Sequence, residues 1–290
     1  MSQTNPSAVV MVTGASGYIA SWVIKYLLDA GYEVRASVRS LENAGKTAHL
    51  TEMASSSSGT LHLFEADLLE EGSFQKAVEG CTYVIHTASP FLLQGIKDPE
   101  NQLIRPALEG TKNVLDAVDQ TESVQRVVLT SSIVAMFTDA DENELYPSKT
   151  FDESSWNQRA SLKYMPYDYS KTLAEKAAWQ IAKNQKRWDL VTINPGLVLG
   201  PSLSTRMDGA SMNFTKQIVD GTLAVGAPEI YFTPVDVREV ANAHMLAAFQ
   251  PDVEGRYMVA SGVVNFTEIG KMLKPVFPKY PLPIRKVPKW

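Results

Sequence analysis

The chain has 290 residues, 44% hydrophobic and 20% charged, which suits one large α/β domain or one domain with a smaller lobe. A net charge of −5 excludes a basic field for nucleic acid or an anionic membrane surface. The single cysteine, Cys81, excludes an internal disulfide and fits a reducing compartment as a small buried apolar residue. The N-terminus has no basic n-region, and its apolar run, Ala8 to Val12, is too short for a signal or a membrane span, so the expected location is the cytoplasm.

In chain order, Ala8 to Thr13 reads as a short buried strand, followed by a glycine turn and the start of a helix, in the pattern Gly14-x-x-Gly17-x-x-Ala20. A backbone passing close to a pyrophosphate cannot carry a Cβ, and the first amides of the next helix point at phosphate oxygens. Glycines that merely turn the chain are the plain alternative. Tyr18 to Ala30 continues the helix, with Ile19, Val23, Tyr26 and Leu27 at helical spacing and Gly31 placed to end it. Glu33 to Val38 is the second strand. Where an NAD-binding chain places a carboxylate for the ribose 2′-OH, this one has Arg39 and Ser40, with Lys46 soon after. A guanidinium holds a 2′-phosphate that a carboxylate repels, so the expected cofactor is NADP(H).

Ala54 to Thr60 reads as a serine-rich surface loop and Leu61 to Glu65 as a third strand ending at Ala66-Asp67-Leu68. Asp67 is either a cap or a neighbour of the adenine. Tyr83 to Thr87 is the fourth strand, running into Ala88-Ser89-Pro90, with His86 read as a core histidine. The four histidines show no ligand spacing, so no metal site is expected. Asp98-Pro99 opens a long helix through Asp119, and Arg126 to Thr130 is a fifth strand delivering Ser131-Ser132 at its end. The alternation implies a doubly wound parallel sheet, in which ligands bind beyond the carboxyl ends of the strands. The glycine turn, Arg39, Asp67, Thr87 to Ser89 and Ser132 all fall at such ends. Residues 138 to 166 form an acidic stretch, either a functional cover or mobile. Helix resumes at Tyr167, a sixth strand spans Asp189 to Ile193, and Asp236-Val237-Arg238-Glu239 reads as a capping box for a helix through Phe249.

Tyr167 and Lys171 are four apart, so on a helix they share one face. A tyrosine of ordinary pKa, about 10, works poorly as an acid–base group unless a cation stabilises its phenolate. Lys171 is placed to do that, and Ser132 to hold a carbonyl oxygen. A surface pair is the plain alternative for Tyr-x-x-x-Lys by itself.

Together, Thr13-Gly14-x-x-Gly17-x-x-Ala20, Ser132 and Tyr167-x-x-x-Lys171 resemble the extended short-chain dehydrogenases/reductases. Further runs narrow the resemblance to dihydroflavonol reductases, cinnamoyl-CoA reductases and the yeast methylglyoxal/ketone reductases. These are Val38-Arg39, His86-Thr87-Ala88-Ser89-Pro90, Thr130-Ser131-Ser132, Asp152-Glu153-Ser154-Ser155-Trp156, Ser170 to Trp179, Asn194 to Pro201 and Val235-Asp236-Val237-Arg238. The resemblance covers residues 9 to about 260 and implies a Rossmann-like fold. By position it implies that Gly14, Gly17, Tyr18 and Ile19 meet the pyrophosphate and that Arg39 and Lys46 hold the 2′-phosphate. Asp67 and Leu68 match the adenine site, Thr87, Ala88 and Ser89 the path to the ribose, and Pro195, Gly196 and Val198 the nicotinamide side. It implies Ser132 as the carbonyl-binding serine, with Ser131 as its alternative, Tyr167 as proton donor and Lys171 as the ribose-binding lysine.

The chain departs from those relatives in three places. Around the tyrosine it reads Met165-Pro166-Tyr167-Asp168-Tyr169-Ser170-Lys171 where cinnamoyl-CoA reductases have Asn-Trp-Tyr-Cys-Tyr-Gly-Lys. Phe137 stands where dihydroflavonol reductases place an Asn. Relatives continue past Lys289-Trp290, which leaves either a truncated chain or a more open substrate side. The expectation is a Rossmann domain over residues 1–200, with 225–250 returning to it, and a substrate lobe from 201–224 and 251–290. Phe91, Met136 and Phe137 are the expected substrate-lining residues. The expected activity is NADPH-dependent reduction of a small aldehyde or ketone by a monomer or homodimer. Alternatives are a nucleotide-sugar epimerase or dehydratase, which would want an acid where Arg39 stands, and a non-catalytic NADP sensor, which would lack the tyrosine or lysine.

Overall fold

The computed structural model describes residues 7–42, 44–90, 95–205 and 209–287. The strands are β1 (Val9–Thr13), β2 (Glu33–Val38), β3 (Thr60–Glu65), β4 (Tyr83–His86), β5 (Arg126–Thr130) and β6 (Asp189–Pro195), then β7 (Leu197–Leu199), β8 (Tyr231–Phe232), β9 (Pro234–Asp236), β10 (Gly255–Val259) and β11 (Val264–Asn265). Seven of them form one parallel sheet in the order β10-β6-β5-β4-β1-β2-β3. Such strands are covered on both faces and read as near-continuous apolar runs. In β1, Val10 and Val12 enter one core while Met11 enters the other.

The helices are α1 (Tyr18–Asp29), α2 (Ala44–Ser56), α3 (Gln75–Val78), α4 (Arg105–Asp119), α5 (Pro166–Lys183), α6 (Ala210–Val219), α7 (Val237–Phe249) and α8 (Phe266–Leu273), with a π-helical turn at Glu100–Ile104 leading into α4. Residues of α1 and α7 build the core on one face of the sheet, those of α3, α4 and α5 the core on the other. The result is a Rossmann-like α/β sandwich.

The observed structure bears on the expectation in four places. Helix α2 runs through Ser56, so only part of the expected loop at 54–60 is loop. Leu50 of this helix is completely buried, and the Ser55 and Ser56 hydroxyls donate back to the Glu52 carbonyl, which lets serines close a helix. The 138–166 stretch is packed by its own side chains. Glu142, with no exposed surface, accepts from the Thr138, Asp139 and Gln158 amides at 2.7, 2.9 and 3.2 Å, and Phe137 stacks on Phe151 at 4.0 Å. At α7, Asp236 accepts from the Arg238 amide at 2.8 Å, and it is the Arg238 guanidinium that returns to the carboxylate, at 2.9 and 2.6 Å. Finally, β10 pairs with β6 at the edge of the main sheet, so 251–290 is not all lobe. Ile218, Ala227, Phe266 and Leu282 form a separate small core, with the antiparallel pair β8–β11 beside it.

Candidate active site

The carboxyl ends of β1 and β4 meet at Gly14. Its φ is +65°, and a Cβ there would lie 2.9 Å from the Ala88 Cα. The glycine is therefore required by the approach of the β4 loop as well as by the turn. Thr13 staples that loop down. Its hydroxyl accepts from the Thr87 and Ala88 amides at 3.1 and 3.0 Å, while the Thr87 hydroxyl donates to the Thr13 carbonyl at 2.6 Å. With both acceptor positions of Thr13 filled, its proton goes to His86 Nδ1, 2.8 Å away, which leaves the imidazole proton on Nε2. Burial, aided by the charge of Lys171, pushes the His86 pKa down to about 3. It is a neutral core histidine.

Gly17 precedes α1 in extended backbone, no side chain caps that helix, and no acidic residue lies in its first turn. The amides of Tyr18, Ile19 and Ala20 start the helix without a capping side chain, a ready anion site. The Tyr18 hydroxyl donates to the Gly200 carbonyl at 2.7 Å. Arg39 is exposed at the end of β2, with no ion pair to another described residue, and Lys46 lies in the first turn of α2. Glu65, at the end of β3, accepts from the Leu41 amide at 3.0 Å, so the acid near this site caps the backbone. Asp67 turns its carboxylate to the Leu69 amide at 2.8 Å, a local turn, and Leu68 packs over Gly110 of α4.

Ser132 leads the short helical turn Ile133–Ala135, and its hydroxyl is hydrogen-bonded to that of Tyr167. Ser131 turns the other way, donating to Glu175 Oε2 at 2.5 Å. Burial, and next the Asp168 carboxylate, push the Tyr167 pKa above its ordinary value, while the Ser132 bond works against them. Lys171 is buried and donates to the Thr130 carbonyl at 3.0 Å. Its pKa is pushed down to about 8 by burial and supported by the charge of Glu175. Tyr167 is thus held as a neutral phenol at neutral pH. Asp168 is itself raised to about 6, mainly by burial, while the Thr138 hydroxyl donates to it at 2.8 Å.

Pro195 ends β6 buried. A Cβ on Gly196 would fall 2.0 Å from the Thr233 carbonyl oxygen, so this loop is pressed onto the backbone before β9. Val198 is nearly buried in β7, paired with Val235 of β9. Of the expected substrate-lining residues, Phe137 is partly exposed, whereas Met136 has no exposed surface and backs the turn from inside. Phe91 lies outside the described residues. Among the described residues no group of His, Cys, Asp and Glu could hold a metal ion, and no helix is long and apolar enough to cross a membrane.

Sequence reasoning missed Thr13, Asp168, Glu175, Asn194 and Arg256. The first has a local signal, a threonine before the glycine turn. The others depend on contacts between distant segments.

A parallel sheet of this order, with a glycine turn and an uncapped helix at its carboxyl edge, defines a dinucleotide-binding α/β protein. The model of the NAD dependent epimerase/dehydratase family matches residues 10–260, and the chain belongs to that family. It is 40% identical over 286 residues to a cinnamoyl-CoA reductase of Medicago truncatula, covering 98% of this chain and 85% of that one. It is 34% identical to a bifunctional dihydroflavonol 4-reductase/flavanone 4-reductase of Malus domestica, covering 96% and 79%. The yeast methylglyoxal/isovaleraldehyde reductase Gre2, solved with NADPH, superposes with a TM-score of 0.80 at 32% identity, covering 96% of this chain and 86% of that one.

Proposed function

We propose that the protein is an NADPH-dependent carbonyl reductase that turns an aldehyde or ketone into the alcohol. The observation that carries this is the hydrogen-bonded Ser132–Tyr167 pair, one helical turn from buried Lys171, at the sheet edge that also presents the α1 amides. Relatives that are named reductases support the same chemistry.

The chain fits the cofactor. Gly14 leaves no room for a Cβ, the α1 amides are free of a competing side-chain cap, and Arg39 is a cation with no internal partner among the described residues. Bound there, NADPH supplies the hydride. Ser132 and Tyr167 hydrogen-bond the carbonyl oxygen of the substrate, and Tyr167 gives its proton to that oxygen as it gains charge. Burial serves this role, because it keeps the phenol protonated until it is needed. Lys171 sets the positive potential beside it and binds the nicotinamide ribose. Phe137, stacked on Phe151, gives the approach an apolar face, which suits a small or apolar carbonyl compound over a polyhydroxylated one.

The test follows absorbance at 340 nm with NADPH and then NADH against a panel of aldehydes, α-keto esters and aryl ketones. NADPH is consumed with several carbonyls and NADH far more slowly. Tyr167→Phe abolishes turnover while NADPH affinity stays within about twofold. Substantial turnover by that variant would overturn the assignment.

A further inference from the structure

One turn beyond Lys171 on α5, Glu175 has no exposed surface and receives five donors. Oε2 accepts from Ser131 Oγ at 2.5 Å and Asn194 Nδ2 at 2.8 Å. Oε1 accepts from Arg256 Nε at 2.6 Å, Thr192 Oγ1 at 3.2 Å and Trp179 Nε1 at 3.3 Å. A buried carboxylate so fully engaged is costly to assemble, and its partners lie just after β5, on β6, on β10 and on α5 itself. Two of them lead to the reacting groups. Ser131 precedes Ser132, and Asn194 uses the same nitrogen to donate to the Ser132 carbonyl at 3.1 Å. Arg256 reaches in from the edge strand, where its guanidinium lies 3.8 Å from the Trp156 ring centroid and donates to the Glu153 and Ser155 carbonyls.

We propose that Glu175 is a positioning residue of the site: its carboxylate fixes the Ser131–Ser132 turn against α5 and supplies the negative charge that keeps Lys171 an ammonium, while Arg256 shares and limits that charge. The geometry gives each half a reason. The carboxylate is one helical turn from Lys171, on the same strip of α5. The ionisable groups around Lys171 are Glu175, Asp168 and Tyr167 on its own helix and His86 on β4, with Arg256 on β10 acting through Glu175. His86 is neutral, Tyr167 is a phenol and the Asp168 carboxylate is turned to the Thr138 hydroxyl, so Glu175 is the negative charge that acts on Lys171. A glutamine at 175 keeps the shape but offers one acceptor oxygen in place of two, so either the Ser131–Asn194 side or the Arg256 side loses its acceptor.

The test reads Lys171 directly, by nuclear magnetic resonance titration of its side chain in lysine-labelled protein, assigned with Lys171→Met. The wild type loses its proton near pH 8. Glu175→Gln lowers that midpoint by about one pH unit, since an opposite charge at this range has been removed. Arg256→Met, which leaves Glu175 with Lys171 as its remaining cation, raises it. Kinetics form the second arm and rest on the reductase reading: the alkaline limb of kcat/KM moves the same way in each variant, and kcat of Glu175→Gln falls about ten- to a hundredfold as the Ser132 turn shifts. A purely structural role would lower the melting temperature and move neither midpoint. Unchanged midpoints in both variants overturn the proposal, and if Glu175→Gln does not fold, the upward shift in Arg256→Met decides alone. A wild type that oxidises no NADPH sinks the reductase reading and leaves the titration to judge this one.

Discussion

Replacing Gly14 by alanine places a methyl group 2.9 Å from the Ala88 Cα at a φ of +65°. The left-handed conformation alone costs about 1 kcal/mol or more for a residue with a Cβ. The contact is with backbone, so relief requires the whole β4 loop to retreat, and overpacking of that kind costs about 1–3 kcal/mol. The sum is about 2–4 kcal/mol, which for a chain of this size lowers the melting temperature by roughly 4 °C or more. Gly17 provides the control. It sits at φ −76°, and the nearest atom to an added Cβ is the Gly14 carbonyl oxygen at 3.0 Å. Gly17→Ala is therefore expected within about 1 kcal/mol of wild type, with the loss of unfolded-chain entropy offsetting the crowding. Thermal unfolding and NADPH titration of both variants are the assays. Gly14→Ala loses stability and cofactor affinity together, because the retreating loop carries Thr87 to Ser89. Equal melting temperatures for the two variants would falsify this account of the turn.

Asp168→Asn keeps an acceptor for the Thr138 hydroxyl and removes a carboxyl whose pKa burial has raised to about 6. A group raised in the fold opposes folding when ionised, so the variant gains about 2–3 kcal/mol at pH 7, fading as pH falls towards 4. Urea midpoints at both pH values check this, and a loss at pH 7 refutes it. His86 and His244, depressed to about 3 and about 4 by burial, act in the opposite direction. Their contribution is complete above the unfolded pKa of about 6.5 and is lost as pH falls, about 2 kcal/mol each at pH 5. Measured in the Asp168→Asn background, an unchanged urea midpoint between pH 7 and pH 5 would contradict it. Arg39→Ala removes a charge-assisted contact to a 2′-phosphate and raises the KM for NADPH about ten- to a hundredfold with little effect on NADH. A parallel loss for both cofactors would refute that role.

The central strands and the glycine turn were legible because their signals are local. Val9 to Thr13 and Arg126 to Thr130 are short apolar runs closed by polar residues, and the Tyr167–Lys171 spacing needs nothing beyond one helical turn. Strand β10 was not, since Gly-Arg-Tyr-Met-Val at a sheet edge is only partly buried and has no continuous apolar run. Nothing local in the sequence marks Glu142 and Glu175 as buried, yet neither has exposed surface. Their donors come from segments up to 81 residues away, which no periodicity reports. Met136 and Phe137 are adjacent, and the helical turn after Ser132 sends one inward and the other towards the surface. That division is a property of the turn's packing, invisible in two neighbouring apolar letters.

The ion pair between Glu175 and Arg256 also sets an order of assembly. At about 5–20 residues per second, the ribosome needs roughly 4–16 s to add the 81 residues that separate them. Through that interval β1 to β5 already exist as sequence and β6 follows early in it, but the Glu175 carboxylate has no guanidinium to meet. Docking the Tyr167–Lys171 helix before β10 is made would bury the carboxylate without its cation, a costly arrangement. Edge strand β10 thus works as the latch of the site, and the interior beside Lys171 closes once Arg256 has joined the chain.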